Sequence, residues 1–453
     1  MRRIAIATVL ALMLPALGVA SEEDDSTSLS YIAYLERYAT VQPATQEDSI
    51  EAVINLPLMS GDRIDTAREG RLEAVLSDAS VMWLDEYTTV SLDAVAFSRD
   101  TMGDRTVIYL ADGVMMLELY PDVVRPHRTR VDSAEQTVYL RGPGVYRLEV
   151  VPSGGLWVEV WEGDAEAATP SGEVPIRAGT AAEVGGAEIS AVQAQLTNRD
   201  DFARWVQARR LPSGSESAQY VDSRYAREAG QLDAYGSWVY LQDADTWAWQ
   251  PSVATDWRPY TAGRWYWSTT GWCWLSYEPW GWLPYHYGSW WNSPSYGWVW
   301  CWGNVWSPAW VYWAHWPGYV GWCPVGYYSS WWWRSGWGWG GHHPGWHHPG
   351  PGGGTPRHPR GDVVPPRGGS SAIREARPVA ASDLILDMEG RTRARALDGR
   401  GWTAVPERDF ASPHVSRIVR RADDVTRTIP GSGGHRHVAS SADRGAGESG
   451  TLS

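Results

Sequence analysis

Short apolar runs, separated by Gly, Asp or Pro, follow one another from about residue 40 to residue 190. The run at 106–110, for example, leads into the turn pair Asp112-Gly113, and the run at 114–119 follows. Short strands at intervals of about 8–12 residues are typical of all-β sandwiches and barrels. We therefore predict a β-rich domain over 40–190, built as a sandwich or a short solenoid.

The pattern becomes helical after this domain. Phe202, Trp205 and Val206 fall on one helical face, cap candidates with two aspartates precede them at 198–201, and Arg209 stands in the last turn. Acidic residues at the start of a helix and basic residues at its end match the helix dipole. We predict a helical connector over 198–237.

Tryptophan dominates the next stretch. Residues 238–346 hold 26 of the 31 tryptophans of the chain and none of its phenylalanines. In the segments 265–267 and 272–274 the tryptophans stand two apart, so that in strands they share a face. We predict a Trp/Tyr-rich antiparallel β-repeat module over 238–334, in which indoles pair across short hairpins.

This stretch also repeats itself. The sequence W-R-P-Y at 257–260 recurs as W-L-P-Y at 282–285, and G-W-C-W at 271–274 recurs as G-W-V-W at 297–300. A fixed offset of about 25 residues marks a repeated supersecondary unit. Each unit is expected to supply two short strands.

The C-terminal part is polar and rich in small residues. Residues 335–381 form a low-complexity Gly/His/Pro/Arg linker, and 422–453 are expected to be a disordered tail. Between them, 382–421 contains apolar islands that include 402–405 and Phe410. We predict that part of 382–421 folds back onto the Trp-rich module as a strand or short helix.

The N-terminus has the features of a secretory signal. Residues 1–20 combine two arginines, a short apolar run and small residues that precede a cleavage site after Ala20. No other stretch is apolar and long enough to span a bilayer. We expect an exported protein of the periplasm, cell envelope or extracellular space, without a transmembrane span once the signal is removed.

The net charge argues against nucleic acid as a partner, and the cysteine spacing argues against a zinc site. The net charge is −14, with the acidic excess concentrated in residues 21–210, which argues against nucleic acid as a partner. Cys273, Cys301 and Cys323 lack the CxxC spacing of a zinc site. In an oxidising compartment they allow one disulfide and a leftover thiol, and the sequence leaves the pairing open.

The aromatic residues allow two interpretations. Trp and Tyr each carry a polar group that needs a partner or water, which suggests rings with one packed side and one wet edge. The rings then either only pack the hairpins or also form a surface for sugar rings, proline or choline-like cations. The candidate ligand-binding residues are Trp257, Tyr260, Trp265, Trp272, Trp282, Tyr285, His286, Trp290 and Trp298.

Catalysis has little support. Glu278 and Asp256 are the one carboxylate pair considered for glycoside cleavage, which needs two carboxylates about 5–10 Å apart. Motifs of serine hydrolases, zinc proteases and phosphate-binding loops are missing from the sequence. We predict a protein that is not an enzyme and has no cofactor and no resident metal ion; the histidine pairs at 342–343 and 347–348 are expected to bind metal only opportunistically.

Residues 58–66 (L-M-S-G-D-R-I-D-T) and 70–80 (G-R-L-E-A-V-L-S-D-A-S) resemble the opening strands of the FecR-type domain. The segments 158–163 and 176–179 are similar to its closing strands, so that the resemblance covers roughly 40–185. One departure is Ala79, where the family usually has glycine. The resemblance implies a β-rich envelope module. The sigma-factor regulation of the name-giving member is not carried over, because this chain has only a signal peptide ahead of the domain.

Residues 280–290 (W-G-W-L-P-Y-H-Y-G-S-W), followed by W-S-P-A-W-V at 306–311, are similar to the DUF6600 family. That family is rich in Trp and Tyr and often follows a FecR-type domain in bacterial exported proteins. The resemblance covers roughly 200–330 and implies no known activity.

Together these observations favour an exported, non-enzymatic cell-envelope protein that acts as a binding or scaffolding module. Its aromatic faces would engage envelope polysaccharide or peptidoglycan, or an envelope protein. The alternatives are a glycoside-processing enzyme and a FecR-like signalling component.

Overall fold

The computed structural model describes residues 28–95, 105–119, 128–169, 172–185, 191–193, 200–210, 214–242, 244–316, 318–324, 326, 401–412 and 420–421. The signal at 1–20, the linker at 335–381, its histidine pairs and the tail beyond 421 lie outside the described residues. Among the described residues, no helix combines the length and the apolar character that crossing a bilayer requires.

The N-terminal half is a sandwich of two nine-stranded sheets that share an aliphatic core. The strands of the first sheet are β1 (Ser30–Glu36), β4 (Pro57–Leu58), β6 (Arg71–Val75), β7 (Val81–Leu84), β10 (Val114–Leu119), β13 (Gly144–Val150), β14 (Leu156–Glu162), β17 (Thr180–Val184) and β18 (Ala191–Gln193). Those of the second are β2 (Ala39–Gln42), β3 (Ile50–Glu51), β5 (Arg63–Thr66), β8 (Thr89–Ala94), β9 (Arg105–Asp112), β11 (Arg128–Ser133), β12 (Gln136–Leu140), β15 (Asp164–Thr169) and β16 (Gly172–Arg177).

The strand orders are β18-β17-β14-β13-β10-β7-β6-β1-β4 and β16-β15-β12-β11-β9-β8-β5-β2-β3. Pairing is antiparallel except between β9 and β11, which run parallel. The sandwich thus begins at β1, ten residues before the predicted start at 40, because β1 pairs with both β4 and β6.

Tight turns at glycine carry the chain from one sheet to the other. Gly113 links β9 to β10 with φ 85°, and Gly163 links β14 to β15 with φ 89°. Only glycine adopts this backbone conformation without steric cost. A Cβ on Gly113 would also lie 2.5 Å from the Cα of Thr88. The turn signals at these positions therefore join strands of different sheets.

Side chains of the first sheet alternate between the sandwich core and an outer face. In β10, Met115 and Leu117 point into the aliphatic core, while Met116 joins the aromatic core on the other side. A strand with both faces covered is apolar on both, which explains why the alternation in the sequence is only partial. The outer face is therefore an interface.

The connector covers part of this outer face. It consists of α1 (Asp201–Arg209), α2 (Ala226–Gly230) and 3-10 turns at Ser217–Gln219, Ser223–Tyr225 and Gln231–Ala234. Asp200 caps α1, since its side chain accepts a hydrogen bond from the Ala203 amide. Phe202 and Val206 pack into the aromatic core.

The aromatic module follows as three sheets. Its elements are β19 (Gly236–Leu241), β20 (Thr246–Pro251), β21 (Gly263–Ser268), β22 (Gly271–Ser276), α3 (Trp282–His286), β23 (Tyr287–Ser293), β24 (Gly297–Trp306), β25 (Val311–Trp316) and β26 (Tyr319–Pro324). The sheets have the orders β19-β20-β24-β23, β21-β22 and β25-β26, and β27 (Thr403–Pro406) and β28 (Arg420–Arg421) extend the last one to β25-β26-β27-β28. Trp265 faces Trp274 and Trp267 faces Trp272 across the β21–β22 hairpin. The prediction of a mainly β protein, with antiparallel hairpins and a short connecting helix, is confirmed.

C-terminal residues complete the last sheet. β27 (Thr403–Pro406) pairs with β26, and β28 (Arg420–Arg421) pairs with β27. A 3-10 turn at Glu407–Asp409 then brings Phe410 against Trp265, Trp272, Trp313 and Trp322. Part of the 382–421 segment thus lies against the Trp-rich module as a strand.

The two modules also share core residues. In the β21–β22 hairpin, Tyr266 and Leu275 lie in the aliphatic core of the sandwich, while Trp265 and Trp274 lie in the aromatic core. Both faces of this hairpin therefore carry buried side chains, whereas Trp267 near its tip is 43% exposed. The sandwich and the aromatic module are therefore packed as one body along this hairpin.

Candidate functional site

Most of the candidate ligand-binding rings are closed off from solvent. Six of them are at most 3% exposed: Tyr260, Trp265, Trp282, Tyr285, His286 and Trp290. Trp265 and Trp290 lie in strands, Trp282, Tyr285 and His286 lie in α3, and Tyr260 lies in the loop before β21. The structure therefore offers none of these six rings as a stacking face at the surface, and the expected platform of exposed aromatic faces is reduced to the other three.

Several buried rings form a hydrogen-bonded core instead. The Tyr260 hydroxyl donates to the Tyr285 carbonyl at 3.0 Å and accepts from the Trp310 amide at 3.0 Å. The Nδ1 of His286 lies 3.1 Å from the Ser307 carbonyl, and the Trp310 indole donates to the His286 carbonyl. Burial lowers the pKa of His286 from 6.5 to about 4, so this ring is neutral at physiological pH. His286 is a structural residue of the core.

Other buried indoles have an N–H group without a hydrogen-bond acceptor among the described residues. Within the described part of the chain, the Nε1 atoms of Trp249, Trp265, Trp274 and Trp290 find no hydrogen-bond acceptor. Their rings meet edge to face, as Trp265 and Trp274 do with centroids 5.1 Å apart and planes at 69°. Such geometry lets the positive edge of one indole face the π-system of the next. The expectation that one edge of each ring stays wet fails at these positions.

Trp272 is half-buried but already covered. It makes edge contacts with Phe410 at 5.0 Å and with Trp267 at 5.1 Å. Trp267, at the tip of the same hairpin, is 43% exposed. Trp272 therefore belongs to the rim of the aromatic core.

The remaining two candidates meet in an open groove. Trp257 comes from the loop that follows β20, and Trp298 is the second residue of β24, just after the β23–β24 turn. Both indoles are half-buried and line a cavity of 760 Å³, which we call the aromatic groove. Its other lining residues are Gln250, Pro251, Val253, Ala254, Thr255, Asp256, Arg258, Asn292, Ser293, Pro294, Tyr296 and Gly297. The groove thus combines aromatic faces with amide, hydroxyl and charged groups.

Sequence reasoning missed most of these groove residues. Tyr296, which is 40% exposed, lies in the turn between two Trp-rich strands. The Gln250 amide donates to the Tyr296 carbonyl at 2.7 Å and so ties the two walls together. The sequence feature that points to these groove residues is the polar, proline-containing turn at 292–297, because loops that join rigid strands often carry functional residues.

Glu278 lies behind Trp257. Its Oε1 accepts from the Trp257 indole at 2.9 Å, and its Oε2 accepts from the Ser276 hydroxyl and, at 3.2 Å, from the Tyr285 hydroxyl. Burial raises the pKa of Glu278, against the lowering effect of these hydrogen bonds. Asp256 is exposed at the groove rim. The described partners of the Glu278 carboxylate include no second carboxylate, so the pair considered for glycoside cleavage is not assembled around it.

The described residues contain neither a disulfide nor a cluster of metal ligands. Cys273, Cys301 and Cys323 are all buried and form no disulfide, contrary to the one that the sequence allowed. Burial raises the pKa of the Cys273 and Cys301 thiols, which keeps them protonated and inert. In the described residues, no group of three or more His, Cys, Asp or Glu is placed to hold a metal ion.

The fold defines a mainly β protein of two modules that share core residues, a sandwich and a Trp-rich module with an open aromatic groove. Residues 62–166 match the family model described as FecR protein, and residues 229–329 match the family of unknown function DUF6600. Both resemblances predicted from the sequence are thereby confirmed.

Similarity to curated proteins and to solved structures does not assign an activity to this chain. No curated protein matches the chain. Two crystal structures of a candidate anti-sigma factor from Parabacteroides distasonis, at 1.65 and 2.50 Å resolution, align with 15% and 16% identity and a TM-score of 0.25. Each alignment covers 32% of this chain, and 63% or 62% of the solved chain. A TM-score this low is no basis for assigning the activity of those proteins to this chain.

Proposed function

We propose that the chain is a non-catalytic component of the cell envelope that binds an envelope polysaccharide, such as a peptidoglycan strand, in the aromatic groove. The observation that supports this proposal is the position of Trp257 and Trp298 in one open cavity of 760 Å³ with a polar rim. Sites for small organic ligands combine apolar walls with a few polar groups that fix orientation.

The chemistry of the groove suits a sugar chain. A pyranose ring has an apolar face that stacks on an indole and hydroxyls at its edge that bind polar side chains. Asn292, Gln250 and Arg258 supply amide and guanidinium donors beside the rings, and Asp256 supplies an acceptor. The groove is open to solvent, as the entry of a large ligand requires.

The test is sedimentation of the purified full chain with insoluble peptidoglycan. We expect the wild type to sediment and Trp298→Ala to bind about tenfold more weakly, which corresponds to about 1.4 kcal/mol. The matched control is Trp267→Ala, because this indole is exposed but lies outside the groove. Equal binding by Trp298→Ala and the wild type, or no sedimentation of the wild type, contradicts the proposal.

Binding is favoured over cleavage because Glu278 faces hydroxyl and indole donors, whereas Asp256 lies at the exposed rim. A glycoside-processing enzyme needs two carboxylates that flank the same bond. Release of soluble sugar fragments during the sedimentation experiment would reverse this preference.

A second candidate function is that of a FecR-like signalling component. The match of residues 62–166 to the FecR family supports it. In this function the sandwich would contact a protein partner while the groove holds the polysaccharide. Cross-linking of the full chain in envelope extracts, with and without added peptidoglycan, tests it: a protein that cross-links only in one condition is the expected result, and identical patterns contradict it.

A further inference from the structure

Glu278 is bound through both its side chain and its main chain. Its carboxylate accepts the Trp257 N–H at 2.9 Å, and Trp257 is a wall of the groove. The described residues give Glu278 no cationic partner, so its hydrogen-bond donors are what hold the carboxylate in place. Glu278 therefore fixes the orientation of a groove indole.

The main chain of the same residue is held by the sandwich. The Asn55 amide donates to the Glu278 carbonyl at 2.8 Å and to the Ser276 carbonyl at 3.2 Å. Asn55 is 1% exposed, has φ 65° and donates its own backbone N–H to the Ile32 carbonyl of β1. The buried side chain of Asn55 thus anchors the loop that carries Glu278 to the β1 side of the FecR-type domain.

We propose that Glu278 couples the aromatic groove to the FecR-type domain, so that binding of a saccharide and docking of the two modules strengthen each other. This inference rests on the proposed function of the groove. A ring that stacks on Trp257 binds most tightly when the indole is already immobilised, because less conformational entropy is lost on binding. Asn55 provides that immobilisation from the other module through Glu278.

Coupling of this kind is reciprocal. If the contact of Asn55 with the Glu278 loop raises saccharide affinity, a bound saccharide must stabilise that contact by the same factor. A saccharide bound in the groove would then make the sandwich pack more tightly against the loop that carries Glu278. This links the two modules functionally as well as structurally.

The experiment measures the affinity of the full chain for a soluble peptidoglycan oligosaccharide by calorimetry. We expect Asn55→Ala, which removes no groove residue, to weaken binding about fivefold or more. The matched control is Tyr287→Phe, which deletes an inter-module hydrogen bond to Ser28 that does not involve Glu278. Its affinity should stay within about twofold of the wild type, below the smallest coupling expected. The double variant Asn55→Ala/Glu278→Ala should bind no more weakly than Glu278→Ala alone.

The outcomes separate the two proposals. Wild-type affinity in Asn55→Ala together with lost binding in Trp298→Ala overturns the coupling and leaves the groove intact. Unchanged binding in Trp298→Ala overturns the proposed function itself. If Asn55→Ala does not fold, amide hydrogen exchange of the wild type at residues 53–57 decides: slower exchange with saturating oligosaccharide supports the coupling, and unchanged exchange overturns it.

Discussion

The ring of Tyr31 lies flat on the indole of Trp282, with centroids 3.9 Å apart and planes 7° from parallel. Tyr31 belongs to β1 of the sandwich and Trp282 begins α3 of the aromatic module. Both side chains are at most 3% exposed. This stack is therefore a buried contact between the two modules.

Removal of this stack should weaken the whole chain. We expect Trp282→Ala to lower the free energy of unfolding by about 3–5 kcal/mol, because it leaves a large cavity between two modules that share a core. Chemical denaturation of the full chain measures the loss. Tyr31→Phe is the control, since the described residues give the buried Tyr31 hydroxyl no hydrogen-bond partner. A neutral or stabilising Phe variant is expected; a loss comparable to that of Trp282→Ala would show that the hydroxyl has a partner.

Glu73 is the acceptor at the centre of a buried ionic network under the connector. It accepts from the Trp83 indole at 3.0 Å and from Arg209 at 2.7 Å, and Arg227 lies 3.5 Å away. Loss of one partner of a buried ion pair leaves the others uncompensated and costs about 3–5 kcal/mol. We expect a loss of that size for Glu73→Gln in thermal or chemical unfolding.

The surface pair of Glu69 with Arg37 is the control for the Glu73 prediction. The two side chains are 58% and 72% exposed. Exposed ion pairs contribute about 0–1 kcal/mol, so Glu69→Gln should be nearly neutral. Equal effects of the two substitutions would contradict the buried network.

Phe410 joins the C-terminal segment to the aromatic core. It is 5% exposed and contacts four indoles, one of them stacked at 5.8 Å on Trp265. We expect Phe410→Ala to cost about 3–5 kcal/mol and to release β27 from β26. Limited proteolysis between residues 401 and 412 provides the measurement. Protection of this segment as strong as in the wild type would contradict the anchoring role.

Ala79 occupies a turn position that suits glycine. Its φ is 68°, in the left-handed region, where a Cβ costs about 1–2 kcal/mol. The turn keeps a hydrogen bond of 2.8 Å from the Leu76 amide to the Ser80 carbonyl. We expect Ala79→Gly to raise stability by about 1 kcal/mol, less the added entropy of the unfolded chain. Ala74→Gly, at a regular strand position, should instead destabilise, and the same sign for both would refute the explanation.

His286 should make the chain sensitive to acid. Its pKa is about 4 in the folded chain and 6.5 in the unfolded chain, so the unfolded state binds more protons between these values. Stability therefore falls as the pH drops from 6.5 to 4, by about 3 kcal/mol from this group. The raised pKa of Glu278 acts in the opposite sense, because the folded state then binds the additional proton.

Unfolding of the wild type and of His286→Asn, followed from pH 7 to pH 4, isolates the histidine contribution. The difference in stability between the two proteins should shrink or reverse as the pH falls, since other groups titrate alike in both. A difference that stays constant over this range would contradict a neutral, buried His286.

Local patterns were enough to predict much of the fold. The apolar runs and turn pairs predicted a sandwich or a short solenoid, of which the structure has the sandwich, and tryptophans two apart at 265–267 and 272–274 predicted a hairpin with indoles facing across it. These properties depend on the two-residue period of a strand and on turn chemistry, which neighbouring residues determine.

Burial and the groove were decided by packing between segments far apart in the chain. Trp257 and Trp282 occupy matching places in the repeat, yet one lines the groove and the other is covered by Tyr31. No local pattern distinguishes them, because the exposure of a ring depends on which distant surface meets it. The sequence by itself therefore determined strands, turns and the supply of indoles, while the tertiary structure alone decided which indoles face solvent, since burial is a property of contacts between modules.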